Sequence, residues 1–277
     1  MSIIIKNKNY KKIKETYRQN EQKKNAQKKL KVIQNLHLNI ITSKYSPMAL
    51  SLKLKKFLME NGASKVGYAD ITNFTPKPGL NTGIVFYITY PPEIIRNMQN
   101  APTQEYLNEL ISLNSRLDAL GMKCEEFLID EGYRAYAQTK KRLGSDFGEF
   151  NSFELPHKTI ATRAGLGWIG KSALFTTKDY GSALRLSSVL TDATLDIGKP
   201  ILKSRCGKCM ECRDACLGGA ISGKEWNYKL KRNEFYDDRK CEKYALKVSE
   251  ENLGKPDTVC GKCIFACPHT QKYIKKL

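Results

Sequence analysis

Residues 206–216 read "CGKCMECRDAC", a C-x2-C-x2-C-x3-C run, and residues 260–268 repeat it in shortened form as "CGKCIFACP", C-x2-C-x3-C-P. Zinc sites usually draw pairs of C-x2-C knuckles from well-separated places. Three cysteines at the shorter spacing, then a fourth after the longer one, let three thiolates wrap one corner of an iron-sulfur cube while the fourth points to a neighbouring cube. In two-cluster ferredoxins the fourth cysteine of each run serves the other cluster. On that pattern Cys206, Cys209, Cys212 and Cys267 hold one [4Fe-4S] cluster. Cys216, Cys260 and Cys263 go to the second, one ligand short, and Cys241 in "DDRKCEKYAL" is the cysteine nearby that completes it. Leu217 stands where such runs usually carry proline, which is a turn preference and not a ligand.

Composition agrees with metal rather than disulfides. Eight of the nine cysteines lie between Cys206 and Cys267, whereas disulfide scaffolds are usually short secreted chains with cysteines spread throughout. Cys124 stands alone in a helix-like segment and reads as a buried small apolar residue. The 277 residues, 41% hydrophobic, suffice for one large domain or two modest ones. No apolar run approaches the ~18 residues of a membrane span. The apolar stretch in "MSIIIKNKNYKK" is too short for a secretory signal. A soluble, cytoplasmic chain without a membrane partner is expected.

The net charge of +19 points first to nucleic acid. Much of it is local, since residues 1–46 carry 12 Lys/Arg against 2 Asp/Glu. That leader is rich in Lys, Asn and Gln, has no sustained apolar face, and reads as a solvated helix or a disordered extension. Basic residues elsewhere also compensate iron-sulfur clusters, which are anionic when held by four thiolates.

An ordinary domain start follows at Met48. Leu50, Leu52, Leu54, Phe57 and Leu58 form a helical apolar face, with Gly62 as the C-cap. "KVGYADI" and "TGIVFYITY" read as strands, residues 103–132 as a long amphipathic helix, "YRAYAQ" as a strand and "HKTIATRAG" as a short helix. "SALFTT" and "ALRLSSVLTDATL" are two further strands. Helices alternating with strands predict an α/β layered domain over residues 47–200, joined through "GKPILKS" to a cysteine domain over 201–277.

Residues 157–192 contain "AGLGWIGK", then a strand, a Gly-Ser turn and a second strand ending in Thr-Asp. This segment, with the cysteine spacing and the isolated Cys241, resembles epoxyqueuosine reductases over roughly residues 48–272. The resemblance, shared with reductive dehalogenases, implies an α+β nitroreductase-like domain holding cobalamin. A small bacterial two-cluster ferredoxin-like domain would feed it single electrons, and a low-potential donor of ferredoxin or flavodoxin type would feed the clusters. Gly165, Gly167 and Gly170 would let backbone approach a large flat ligand. Trp168 and Ile169 would supply apolar area, and Lys171 would complete the cofactor-binding loop. Lys158 and Arg163 read as solvated charges or partners of corrin side chains.

Two features depart from the family pattern. The family's proton-donating aspartate lies 14 residues before the first glycine of the motif; counting back from Gly165 gives Asn151, in "EFNSFELPHK". An amide cannot donate a proton as a carboxylic acid does, so His157 and Glu154 join Asn151 as candidate catalytic residues, with Glu149 also nearby. The helical-repeat tail with which many family members grip tRNA does not follow Cys267. The expected function is an iron-sulfur and cobalamin-dependent reductase of unknown substrate. The alternatives are an electron-transfer or corrinoid-activating protein without its own small-molecule substrate, and epoxyqueuosine reduction on tRNA.

Overall fold

The computed structural model describes residues 27–31, 46–140, 142 and 155–275. The chain divides into two units, Met1–Leu50 and Ser51–Leu277. Residues 27–31 of the first are helical. Helix α1, Pro47–Glu60, leads into the second. Its Leu54 and Leu58 are fully buried, while Leu52 is exposed. Gly62 follows at φ +103°, a left-handed conformation that suits glycine at a helix end.

Four strands form one sheet in the order β1-β2-β6-β3: β1 Lys65–Asp70, β2 Thr82–Thr89, β3 Ala135–Ala137 and β6 Leu184–Thr191. Every pairing is antiparallel, with Lys65 opposite Tyr87, Thr82 opposite Thr191 and Ala137 opposite Val189. The helix-strand alternation in the sequence therefore does not build a parallel sheet. The domain is of the α+β kind, because β2 pairs directly with β6 across a long connection that carries helices. β2, "TGIVFYIT", is buried along nearly its whole length, as a central strand covered on both faces must be.

The two covers are helix α3, Gln104–Asp130, and helix α4, His157–Arg163. (Helix α2, Pro92–Arg96, is a short connector.) Adjacent residues of β6 show the arrangement, since successive strand side chains point to opposite faces. A Cβ at Gly121 of α3 would sit 3.7 Å from Ser187 Oγ, whereas Ser188 Oγ lies 2.7 Å from His157 Nδ1 of α4. α3 begins at Thr103, whose hydroxyl accepts from the Tyr106 N–H at 3.2 Å. Tyr106, Leu113, Leu117 and Leu120 are buried as expected; Leu110 is only half-buried. Cys124 is fully buried, and burial raises its thiol pKa far above the ordinary range.

The segment "GLGWIGK" holds a strand that the sequence reading missed. β4, Trp168–Ile169, pairs with β5, Phe175–Thr176, in a tight two-stranded hairpin. Ile169 and Ala173 of this hairpin pack with Trp226 and Phe235, which lie between the two cysteine motifs. The cysteine region itself is built from three short helices, α5 Glu211–Asp214, α7 Lys262–Phe265 and α8 Pro268–Ile274, and one longer helix, α6 Asp238–Leu253. α8 fastens the region to the sheet domain. Tyr273 donates to the Tyr90 carbonyl (2.8 Å), Arg96 to the Ile274 carbonyl (2.8 Å), and the Ser182 N–H to Thr270 Oγ1 (3.2 Å).

Phe235 is 2% exposed and closes the small core between hairpin and cysteine region. Phe235→Ala is expected to cost about 3 kcal/mol or more, read as a lower midpoint in chemical denaturation. An unchanged midpoint would mean that this contact contributes nothing to the native state.

Candidate iron-sulfur centres and the adjoining cavity

The eight clustered cysteines gather in two sets of four. Cys206, Cys209, Cys212 and Cys267 open onto one cavity of about 90 Å³. Burial first, then Cys206, Cys267 and Cys209, push the Cys212 thiol up to about 12. Cys263 is raised by burial first, then by Cys260, Cys241, Cys212 and Cys216. Cys260 likewise feels Cys241 and Cys216. The sets also touch each other, since Cys263 feels Cys212 and lines the first set's cavity. Cys241 reaches its set from the first turn of α6, where Asp237 caps the helix by accepting from the Lys240 N–H at 3.0 Å.

Cys212 in one set and Cys260 and Cys263 in the other resist ionisation, because burial and neighbouring thiols both disfavour the thiolate. A cationic metal core removes both penalties. No three His, Cys, Asp or Glu side chains among the described residues are grouped to hold a single metal ion. Four thiols around one cavity suit the corners of a polynuclear core better than the knuckles of one ion.

A second cavity, of about 440 Å³, lies beside the first, and Ser182 lines both. The β4–β5 hairpin separates them: Ile169, Ala173 and Leu174 face the larger cavity, Gly170, Lys171 and Ser172 the smaller. The larger cavity falls within the usual range of ligand pockets. Leu184, Leu186, Leu230, Phe235 and Trp226 contribute apolar wall, and Lys158, Arg185 and Arg232 bring positive charge. Lys158 Nζ donates to the Ala173 carbonyl (3.1 Å), and burial, then Arg232, depress its pKa to about 8.

The residues expected to bind cofactor divide. Ile169 lines the larger cavity, and so does His157 from the candidate catalytic group. The glycines make close approaches to the chain itself. A Cβ at Gly165 (φ +74°) would meet the Lys199 carbonyl oxygen at 2.5 Å, and one at Gly167 the Thr176 carbonyl oxygen at 2.3 Å. A Cβ at Gly170 would lie 2.8 Å from Thr176 Oγ1 and 3.7 Å from Cys206 Sγ. Trp168 is buried edge-on to His269, with ring centroids 5.4 Å apart. Lys171 reaches into the first cysteine loop, donating to the carbonyls of Gly207 (2.7 Å) and Cys209 (2.9 Å). Gly165, Gly167 and Trp168 are not among the residues lining the larger cavity, and Lys171 lines the smaller one. Hairpin formation and docking of the cysteine loop take up the space these residues leave. Asn151, Glu154 and Glu149 lie outside the described residues.

The sequence reading overlooked the wall formed by Trp226, Leu230, Arg232 and Phe235. The signal was present in part: the long spacer that delivers Cys241 is apolar or aromatic at Trp226, Leu230 and Phe235. Arg185 was hidden inside a strand. Arg163 lies over the Phe74 ring, 5.1 Å from its centroid, and is not among the cavity residues.

His157 is held neutral. Burial, then Arg185, depress its pKa to about 3. An unfolded histidine titrates near 6.5, so this group contributes stability that is present above about pH 6.5 and is lost as pH falls toward 3. His157→Gln should flatten the fall in melting temperature over that window relative to the unsubstituted chain. An identical pH dependence would show that His157 is protonated in the fold.

The family described as a 4Fe-4S double cluster binding domain matches residues 205–270. An epoxyqueuosine reductase of Aliivibrio fischeri is 29% identical over 163 residues, covering 57% of this chain and 37% of the relative. The chain thus matches little more than a third of that relative's length. Among solved structures, an epoxyqueuosine reductase with an epoxyqueuosine-modified tRNA stem loop aligns with a TM-score of 0.51 at 19% identity, over 80% of this chain and 65% of that one. A catabolic reductive dehalogenase aligns with a TM-score of 0.61 at 16% identity, over 84% of this chain and 34% of that one. The resemblance read from "AGLGWIGK" and from the cysteine spacing is therefore borne out: this chain is similar to epoxyqueuosine reductases, matches a 4Fe-4S double cluster binding domain over residues 205–270, and shares its fold with those reductases and with reductive dehalogenases.

Proposed function

We propose that the chain is an iron-sulfur reductase in which two [4Fe-4S] clusters serve a cobalamin seated in the larger cavity. The observation that carries the reading is the shared wall: a four-thiol cavity and a ligand-sized cavity meet at the β4–β5 hairpin and Ser182. Cys206, Cys209, Cys212 and Cys267 would hold the nearer cluster, and Cys216, Cys241, Cys260 and Cys263 the other. Cobalamin, when bound, supplies a metal that takes up electrons one at a time and reduces a bound substrate.

The chain's own residues divide the remaining work. Ile169, Leu174, Leu186 and Leu230 offer apolar surface to the flat ligand and exclude water around it. Lys158, Arg185 and Arg232 balance negative charge that arrives with electrons or with the substrate. His157, neutral and fixed by its 2.7 Å contact with Ser188 Oγ, offers the cavity a polar ring that can hydrogen-bond a bound ligand without bringing charge. Glu154 adjoins this helix in sequence and remains the candidate for delivering a proton; Asn151, an amide where the family pattern has an acid, keeps open an electron-transfer or corrinoid-activating role without a small substrate. A low-potential ferredoxin or flavodoxin is the electron donor that fits. The likeness to a reductase solved with a tRNA stem loop makes epoxyqueuosine-bearing tRNA the first macromolecular substrate to assay.

Anaerobically purified protein should carry about eight iron atoms per chain and should shift the absorption spectrum of added cobalamin. Leu174→Trp, which narrows the larger cavity from its rim, should weaken that binding by about tenfold or more, ~1.4 kcal/mol, with iron content unchanged. Full iron with no cobalamin shift, and flavin mononucleotide bound instead, would replace the corrinoid by a flavin. Four iron atoms or fewer would overturn the two-cluster reading itself.

A further inference from the structure

Lys171 is the largest charged side chain in the buried core, 2% exposed. Its ammonium has three polar partners: the Gly207 carbonyl (2.7 Å), the Cys209 carbonyl (2.9 Å) and Met210 Sδ (3.6 Å). None is anionic. A buried charge is costly unless it is paired, and two carbonyl dipoles are thin compensation for a full positive charge. Glu225, the carboxylate bonded to this loop, accepts from the Gly207 N–H at 2.6 Å. Yet Lys171 lines the cavity on which Cys206, Cys209, Cys212 and Cys267 converge. A cluster with four thiolates in that cavity is the anion that the buried ammonium lacks.

We propose that Lys171 is a positioning residue for the first cluster: its ammonium clamps the Cys206–Cys209 loop through two carbonyls and raises the reduction potential of the cluster held there. The proposal rests on the two-cluster reading above. A fixed positive charge in a low-dielectric cavity favours the reduced, more negative cluster over the oxidised one. Of the second set, Cys263 alone shares the cavity that Lys171 lines, and among the described residues the hydrogen bonds of Lys171 all go to the first cysteine loop. The two clusters would then differ in potential, with Lys171 marking the one beside the ligand cavity as the electron acceptor of the pair.

The test is a redox titration followed by electron paramagnetic resonance, on full-length protein purified anaerobically with its clusters. Iron analysis of the unsubstituted chain comes first. If it lacks two clusters, the reading beneath the proposal fails before any variant is made. Lys171→Gln keeps a donor for the carbonyls and removes the charge. It is expected to retain about eight iron atoms and to lower one midpoint by at least a tenfold change in the reduction equilibrium, about 59 mV for one electron. The other midpoint should stay in place. Two unshifted midpoints, or two that move together, overturn the proposal. Should Lys171→Gln shed iron, Lys171→Arg, which keeps the charge, is expected to restore the iron and the native pair of midpoints. An arginine variant as depleted as the glutamine variant also overturns it.

Discussion

Eight cysteine thiols packed into two buried sets impose the constraint on which the cysteine region depends. Burial, and then neighbouring cysteines, hold the Cys212, Cys260 and Cys263 thiols against ionisation. Without a cationic core the arrangement has little to hold it together, because, apart from the 16-residue α6 that presents Cys241, the helices that present the thiols are one or two turns long. Short helices of this kind have almost no stability of their own. The cysteine region therefore draws its order from two sources, the metal core it is built to hold and its docking onto the sheet domain through α8, the β4–β5 hairpin and Lys171.

That docking explains why the hairpin is so glycine-rich. Its glycines bring backbone against Thr176, Lys199 and the first cysteine loop, leaving one side of the hairpin to the thiols and the other to the larger cavity. The spacer between the cysteine motifs does two jobs at once. It carries Cys241 to the second set, and it supplies Trp226, Leu230, Arg232 and Phe235 as cavity wall. A cysteine region and a ligand cavity assembled from the same residues are coupled by construction, and a substitution in either is felt by the other.

Much of this was legible in the sequence, for physical reasons that differ from element to element. The two cysteine sets followed from spacing and count, because ligand geometry is a short-range property of the chain. β1, β2, α3 and α4 were readable from their apolar periodicity, which reflects one-sided or two-sided burial. The antiparallel order of the sheet was not readable, since pairing partners such as Thr82 and Thr191 are far apart in sequence. The surroundings of Gly165, Gly167, Trp168 and Lys171 were not readable for a related reason. A glycine announces a close approach but not what approaches, and a lysine beside it does not reveal that its ammonium ends on Gly207 and Cys209. Lys158, Arg185 and Arg232 come from three distant segments, and only the fold gathers them around one cavity.

The central claim is that two clusters lie side by side, with the first against the cavity wall. It is tested most directly by electron paramagnetic resonance of the fully reduced, anaerobically prepared chain. Because Cys212 and Cys263, from different sets, are near neighbours, the account predicts two half-spin signals, each split by magnetic coupling to the other. Two sharp, uncoupled signals, or a single signal, would contradict it.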